Sequence, residues 1–153
     1  MKQTDNLLIS AACPIDAVYH KSNERLELKS HFHNSYEMIY VLEGKILCVI
    51  DNKKYTVPKG GIIFINNLET HNVEVLEYPY KRYFVLIKPD YFKTVIQEPV
   101  FSSIFSNRSE TFRHVLHLHD EIREQFQKTI KNVYNEIKNK DSFWEAAVKI
   151  NLY

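Results

Sequence analysis

The stretch His31-Phe32-His33-Asn34-Ser35-Tyr36-Glu37-Met38-Ile39-Tyr40-Val41-Leu42-Glu43-Gly44 decides how the rest of this chain is read. Side chains of an extended strand alternate between two faces, so His31, His33 and Glu37 share a parity with Ile39 and Val41 and are expected on one side. Two imidazoles and a carboxylate then stand in one apolar concavity. This donor set suits a divalent transition metal (Zn, Ni, Fe or Mn), and a further imidazole, His71, lies further along, just after a strand-like run. A β-barrel brings such a residue across its hollow. Without a metal the same four groups are hydrogen-bonding partners for a polar small molecule, because buried polar groups must be paired by something.

The spacing H-x-H-x3-E-x6-G, carried by His31, His33, Glu37 and Gly44, resembles the first conserved motif of the cupin superfamily without a mismatch. The second motif, G-x5-P-x-G-x2-H-x3-N, is half present. Gly60 and His71 match it, while Asn66 stands for Pro, Leu68 for Gly and Val75 for Asn. More narrowly, Tyr36 to Gly44, Tyr55 to Ile65, His71 and the Lys88-Pro89 pair look like the N-terminal effector domain of AraC-type transcriptional regulators, over roughly residues 20 to 92. The resemblance implies a mainly β chain: a cupin-type double-stranded β-helix (jelly-roll) barrel followed by two C-terminal α-helices. It implies His31, His33, Glu37 and His71 as effector contacts or metal ligands, with no cofactor required. It also implies a leading arm over the pocket and dimerisation through the helices.

Composition narrows the partners. The chain has 153 residues, 44% hydrophobic and 25% charged, which fits one ordinary globular domain able to bury a core. Twenty basic and nineteen acidic residues leave a net charge of +1, too balanced for a domain whose work is to neutralise phosphates. These residues are therefore not expected to hold DNA themselves; the AraC-type resemblance implies DNA contact through a C-terminal domain absent from them. Cys13 and Cys48 form no paired motif, which points to a reducing cytoplasmic setting. No apolar run approaches the roughly 20 residues that span a bilayer, so no membrane partner is expected.

Strands are expected at Leu7 to Ile9, Ile15 to Tyr19, Leu26 to His33, Tyr36 to Leu42, Lys45 to Ile50, Lys54 to Val57, Ile62 to Ile65, Val73 to Glu77 and Lys81 to Ile87. Leu7 to Ile9 is either the arm or a frayed edge. Glu43-Gly44, Asp51-Asn52 and Lys59-Gly60-Gly61 supply the turns. Parity leaves the last strand open. Arg82 and Phe84 inside offer a guanidinium and an aromatic wall to an effector; a shift of one residue puts Tyr83 and Val85 there instead. The family resemblance favours the even-numbered pair.

Pro89 suits the first turn of a short helix that Pro99 ends, and Phe101, Ile104 and Phe105 suggest a second helical turn. Arg113 to Leu118 alternates like a final strand. Its histidines at 114, 117 and 119 do not read as a metal set, because His114 and His117 have opposite parity. Residues 120 to 139 are a helix N-capped by Asp120, with Ile122, Phe126, Ile130, Val133 and Ile137 on one stripe. Phe143, Ala146, Ala147 and Ile150 begin another helix, and the chain ends at Tyr153 in mid-pattern, as a piece of something longer does.

The expected organisation is therefore a barrel with its arm over residues 1–118 and a helical dimerisation segment over 119–153, truncated before a DNA-binding domain. Either both helices pack on the barrel, or Ile122, Arg123, Phe126, Ile130, Val133, Tyr134 and Ile137 face a second copy in a homodimer. Function follows as the sensing of a small polar metabolite, such as a sugar or organic acid, by a non-enzymatic regulator domain. The alternatives are a metal-dependent cupin enzyme, a small dioxygenase or isomerase, and a dimerisation module with a vestigial pocket.

Overall fold

A computed structural model describes residues 13–25, 29–106 and 108–152. The expected strand at Leu7 to Ile9 lies outside them, as do three residues of the one at Leu26 to His33. The elements run β1 (Ile15–Ser22), β2 (Tyr36–Ile50), β3 (Lys53–Pro58), β4 (Gly61–Ile65), β5 (His71–Ile87), α1 (Pro89–Val95), α2 (Pro99–Ser102), β6 (Val115–His117), α3 (Asp120–Asn139) and α4 (Trp144–Leu152). All strand pairings are antiparallel, in the order β1-β5-β2-β4-β6, with β3 added on β2.

Two long strands make two layers out of this one sheet. The first half of β2 lies between β4 and the second half of β5; its second half lies between β3 and the first half of β5. The β2–β5 register slips between Val41 and Ile46, so both strands turn a corner there and pass from one layer to the other. This fuses pairs of strands expected to be separate. Gly44 is not a hairpin turn but part of this corner, since a bulge and a tight turn both call on a residue with positive φ. Its φ is +84°, and a Cβ there would stand 2.5 Å from the Glu77 carbonyl oxygen and 2.8 Å from that of Pro79. Asp51 and Asn52, with φ of 43° and 68°, do form the tight β2–β3 turn.

Alternation then sorts the side chains. Ile39, Val41, Ile46, Cys48 and Ile50 of β2 face between the layers, with Val57, Ile63, Ile65, Val73, Phe84 and Leu86. Tyr36 and Tyr40 face the other way and pack, with Tyr83, Val85 and Ile87, against Ile130, Val133 and Ile137 of α3 and Val148 of α4. The Gln127 amide donates to the Tyr40 hydroxyl at 2.9 Å, Phe126 meets the Tyr40 ring edge-on at 5.0 Å, and Lys138 pairs with Asp16 of β1 at 2.9 Å. A cavity of about 260 Å³ remains between this outer face and the helices, lined by Met38, Phe64, Val85, Phe105, Ile130 and Leu152 among others.

The helical stripe is thus spent largely inside the chain. Ile130, Val133 and Ile137 are buried and Phe126 and Tyr134 half-buried against the sheet, while Ile122 is exposed. Residue 119, not Asp120, occupies the N-cap position; Asp120 is the first helical residue and pairs with Arg123. Pro99 opens α2 instead of closing α1, which already ends at Val95.

Because the corner tolerates no Cβ, Gly44→Ala is expected to cost about 3 kcal/mol or more of stability, from the left-handed backbone and the carbonyl clashes together. Urea unfolding of the variant checks this. A change within about 0.5 kcal/mol would mean that the corner is not built as described.

Candidate functional site

The corner and the β2–β5 ladder bring His31, His33, Glu37 and His71 together at one end of the space between the layers. Residues 29–33 are not a strand. His31 alone makes an isolated antiparallel bridge with His71, its N–H donating to the His71 carbonyl at 3.0 Å and its carbonyl accepting from the His71 N–H at 2.9 Å. His71 opens β5 and is buried, Glu37 is 7% exposed near the start of β2, and His31 and His33 are half-exposed. The ring centroids lie 4.4 Å apart for His31–His71, 5.1 Å for His33–His71 and 5.9 Å for His31–His33.

The backbone fixes which nitrogen each ring offers. Nδ1 of His31 lies 2.9 Å from the Lys29 carbonyl, Nδ1 of His33 lies 3.0 Å from that of Ser35, and Nδ1 of His71 lies 2.9 Å from that of Glu69. A carbonyl only accepts, so each Nδ1 carries a proton and Nε2 is left to face the site. Nε2 of His33 is 2.9 Å and Nε2 of His71 is 3.2 Å from the same Glu37 oxygen, the second contact off the line of a hydrogen bond. In neutral rings those Nε2 atoms are bare lone pairs against a carboxylate. The contacts therefore require a cation between them, either a second proton on the ring or a metal ion.

The electrostatics agree with such a cluster. Burial opposes ionisation of Glu37, but hydrogen bonds from His33 and His71 and their charge hold its carboxyl well below the usual carboxylate range. Burial likewise opposes protonation of His71, yet Glu37 beside it raises the imidazole above its ordinary value. The ligating atoms of His31, His33 and His71 all lie within 4.8 Å of one another. Three orientated imidazole nitrogens fit a divalent transition metal, and His31, His33 and His71 would hold it, with the Glu37 carboxylate against two of them.

The last strand resolves the open parity in favour of the even-numbered set. Arg82 pairs with Val41 and Phe84 with Ile39, so both face the interior, while Tyr83 and Val85 face the helices. A polar network not evident from the sequence adjoins the cluster. Glu69, two residues from His71, accepts from Arg108 at 2.7 Å, from His114 at 3.1 Å and from the Asn66 N–H at 2.6 Å. The Tyr55 hydroxyl meets the other nitrogen of His114 at 2.9 Å. Burial raises the Glu69 carboxyl, but these partners outweigh it and hold the pKa at about 2. Glu69, Arg108 and His114 are ordinary residues 39 and 45 positions apart, and only the fold joins them.

Two layers from strands that change sheet, with a His/Glu cluster at one end, define a cupin-like domain. The chain belongs to the family of AraC-like ligand-binding domains, whose family model matches residues 17–153. Among solved structures it is similar to apo ToxT K231A from Vibrio cholerae strain SCE256, at 10% identity and a TM-score of 0.58, covering 91% of this chain and 53% of that one. A second crystal form of ToxT from Vibrio cholerae gives 10% identity and a TM-score of 0.55, covering 76% and 47%. A cupin superfamily protein from Desulfitobacterium hafniense aligns at 8% identity and a TM-score of 0.46, covering 49% and 68%. The chain spans about half the length of the ToxT structures. No curated protein matches it. No helix among the described residues is long and apolar enough to cross a membrane.

Titration of the metal-free protein with Zn²⁺ or Co²⁺, followed by calorimetry, is expected to show one equivalent bound. His33→Ala and His71→Ala should abolish it, Glu37→Gln should weaken it at least about tenfold, and His117→Ala should leave it unchanged. Equal binding by all five proteins would remove the metal assignment.

Proposed function

We propose that this domain holds a small polar effector between its two layers, against His31, His33, Glu37, His71, Arg82 and Phe84, and that it acts as the sensing part of a DNA-binding regulator. The observation that carries the reading is the Glu37 carboxylate, buried between imidazoles whose Nε2 atoms the backbone turns inward. A structural polar cluster is satisfied by its own members. This one presents nitrogens that a cation or a ligand hydroxyl must complete. Membership of the AraC-like ligand-binding family supports the regulatory role, and DNA contact then belongs to chain outside these residues.

When bound, a divalent ion supplies a Lewis-acid anchor for a ligand oxygen. The chain's own residues do the rest: His31 and His33 stand at the half-exposed entry, Glu37 holds the imidazoles in position, and hydrocarbon from both layers excludes water from the interior. An effector shifts a regulator only by binding its two states unequally, so its contacts must reach the helices. β2 provides that route, with Glu37 and Ile39 on the ligand side and Tyr36 and Tyr40 under the helices. A homodimer through the exposed parts of α3 and α4, with Ile122 and Ile150 uncovered in the single chain, completes the proposal. The convergence of three imidazole nitrogens favours a second reading, a metal-dependent cupin enzyme.

A thermal-shift screen of sugars, organic acids and amino acids, with and without Zn²⁺, tests the first reading. A stabilisation that grows with ligand concentration and disappears in His71→Ala is expected. Turnover of the stabilising compound would instead favour the enzyme. Sedimentation equilibrium should find a dimer that Ile122→Asp dissociates; a chain that stays monomeric at high concentration removes that element.

A further inference from the structure

Four side chains of β5 point between the layers in succession: Tyr80, Arg82, Phe84 and Leu86. Arg82 is 3% exposed, and its guanidinium carbon lies 4.7 Å from the centre of the Phe84 ring and 5.8 Å from that of Tyr80. The aromatic faces serve the flat sides of this cation and leave its N–H edge unserved. Nε of Arg82 has no hydrogen-bond partner, and the hydroxyl of Tyr80, which is 0% exposed, has none beyond the guanidinium beside it. Among the described residues no carboxylate lies within ion-pair distance of Arg82.

A guanidinium does not deprotonate to escape such a place, so its positive charge stays in the interior. Buried charges are paired. A guanidinium with no carboxylate partner and a bare Nε, beside a phenol whose proton has no acceptor, in a domain otherwise lined with Ile and Val, marks a place where something else supplies the negative charge. Glu37 is already engaged by two imidazoles, four strand positions away or roughly 13 Å between Cα atoms. It faces the same inter-layer side of the sheet, since Glu37 pairs with Leu86 and Leu86 packs with Phe84 in the inter-layer cluster.

The geometry points to an anion subsite at Arg82 and Tyr80 that takes the carboxylate of the effector, whose hydroxyl or carbonyl oxygens reach towards the imidazole cluster. This rests on the reading of the barrel as an effector site and narrows it to one class, small carboxylates that carry further oxygens. The planar guanidinium edge matches the two oxygens of a carboxylate, and the phenol adds a third donor. A monoanion balances the single Arg82 charge, whereas a phosphate dianion would leave an excess negative charge in the low-dielectric interior. Neutral sugars and alcohols leave the cation unpaired and so lose to the acid.

The test compares acids with their near-isosteric amides on the 153-residue chain: gluconate with gluconamide, lactate with lactamide, benzoate with benzamide, and inorganic phosphate as a separate arm. Calorimetry is expected to find at least one acid, with oxygens beyond its carboxylate, binding tenfold or more tightly than its amide. That ratio should fall to about one in Arg82→Met and narrow in Tyr80→Phe. A second readout needs no ligand. Since the cation has no counter-charge in the free protein, Arg82→Met should unfold at or above the wild-type temperature. Acids and amides binding alike, phosphate binding in their place, or a free Arg82→Met protein melting well below wild type each overturn the anion subsite. If amides or neutral sugars still bind in a His71-dependent way, the effector reading stands while this narrowing falls; if nothing binds, both fall.

Discussion

The corner that β2 and β5 turn together is the constraint on which the other features depend. It takes two strands that would otherwise lie in one sheet and makes each contribute to both layers, so that an interior exists at all. It also covers the first half of β2 on both faces, and no residue of that strand is fully exposed. One set of its side chains forms the wall of the interior, and the other forms the floor under the helices. A displacement of a few tenths of an ångström in this strand is therefore felt on both sides, since packed interiors are stiff and transmit strain.

The interior itself is electrically divided. At one end an acid is held ionised between imidazoles; further along lies a cation stacked on aromatic rings. Isoleucine and valine separate the two ends and keep the local dielectric low, which strengthens each charge's demand for a partner. The helices contribute no charge to this space. Their work is on the outer face, where Tyr40 and Tyr83 meet Phe126 and Tyr134 and where a cavity leaves room for readjustment.

Much of this was legible because period-2 alternation survives wherever a strand is regular. From Glu37 to Val41 the β2–β5 register is unbroken, so a parity argument started at Glu37 holds along this half of β2; for β5 parity left two registers open, and only the family resemblance favoured Arg82 and Phe84. Parity did not identify the fusion of strands, because Gly44 serves a bulge as readily as a turn. Nor did it describe residues 29–33, where His31 reaches His71 through a single bridge and His33 is orientated by the Ser35 carbonyl, with no strand needed. The helical stripe was visible in full, but periodicity says only that a face is covered, and Ile130, Val133 and Ile137 are covered by the chain itself. The Glu69 network had no local signal, since its members meet only after folding.

That network has one further effect. The carbonyl of Glu69 holds the ring of His71, while its side chain is gripped by Arg108 and His114 from the segment between α2 and β6. Arg108 is in turn clamped on the Phe112 ring and hooked to the carbonyls of Ile104 and Phe64. Residue 69 thus joins the cluster to the outer segment: its carbonyl orients the His71 ring, and its carboxylate ties Arg108 and His114 to the same turn of chain.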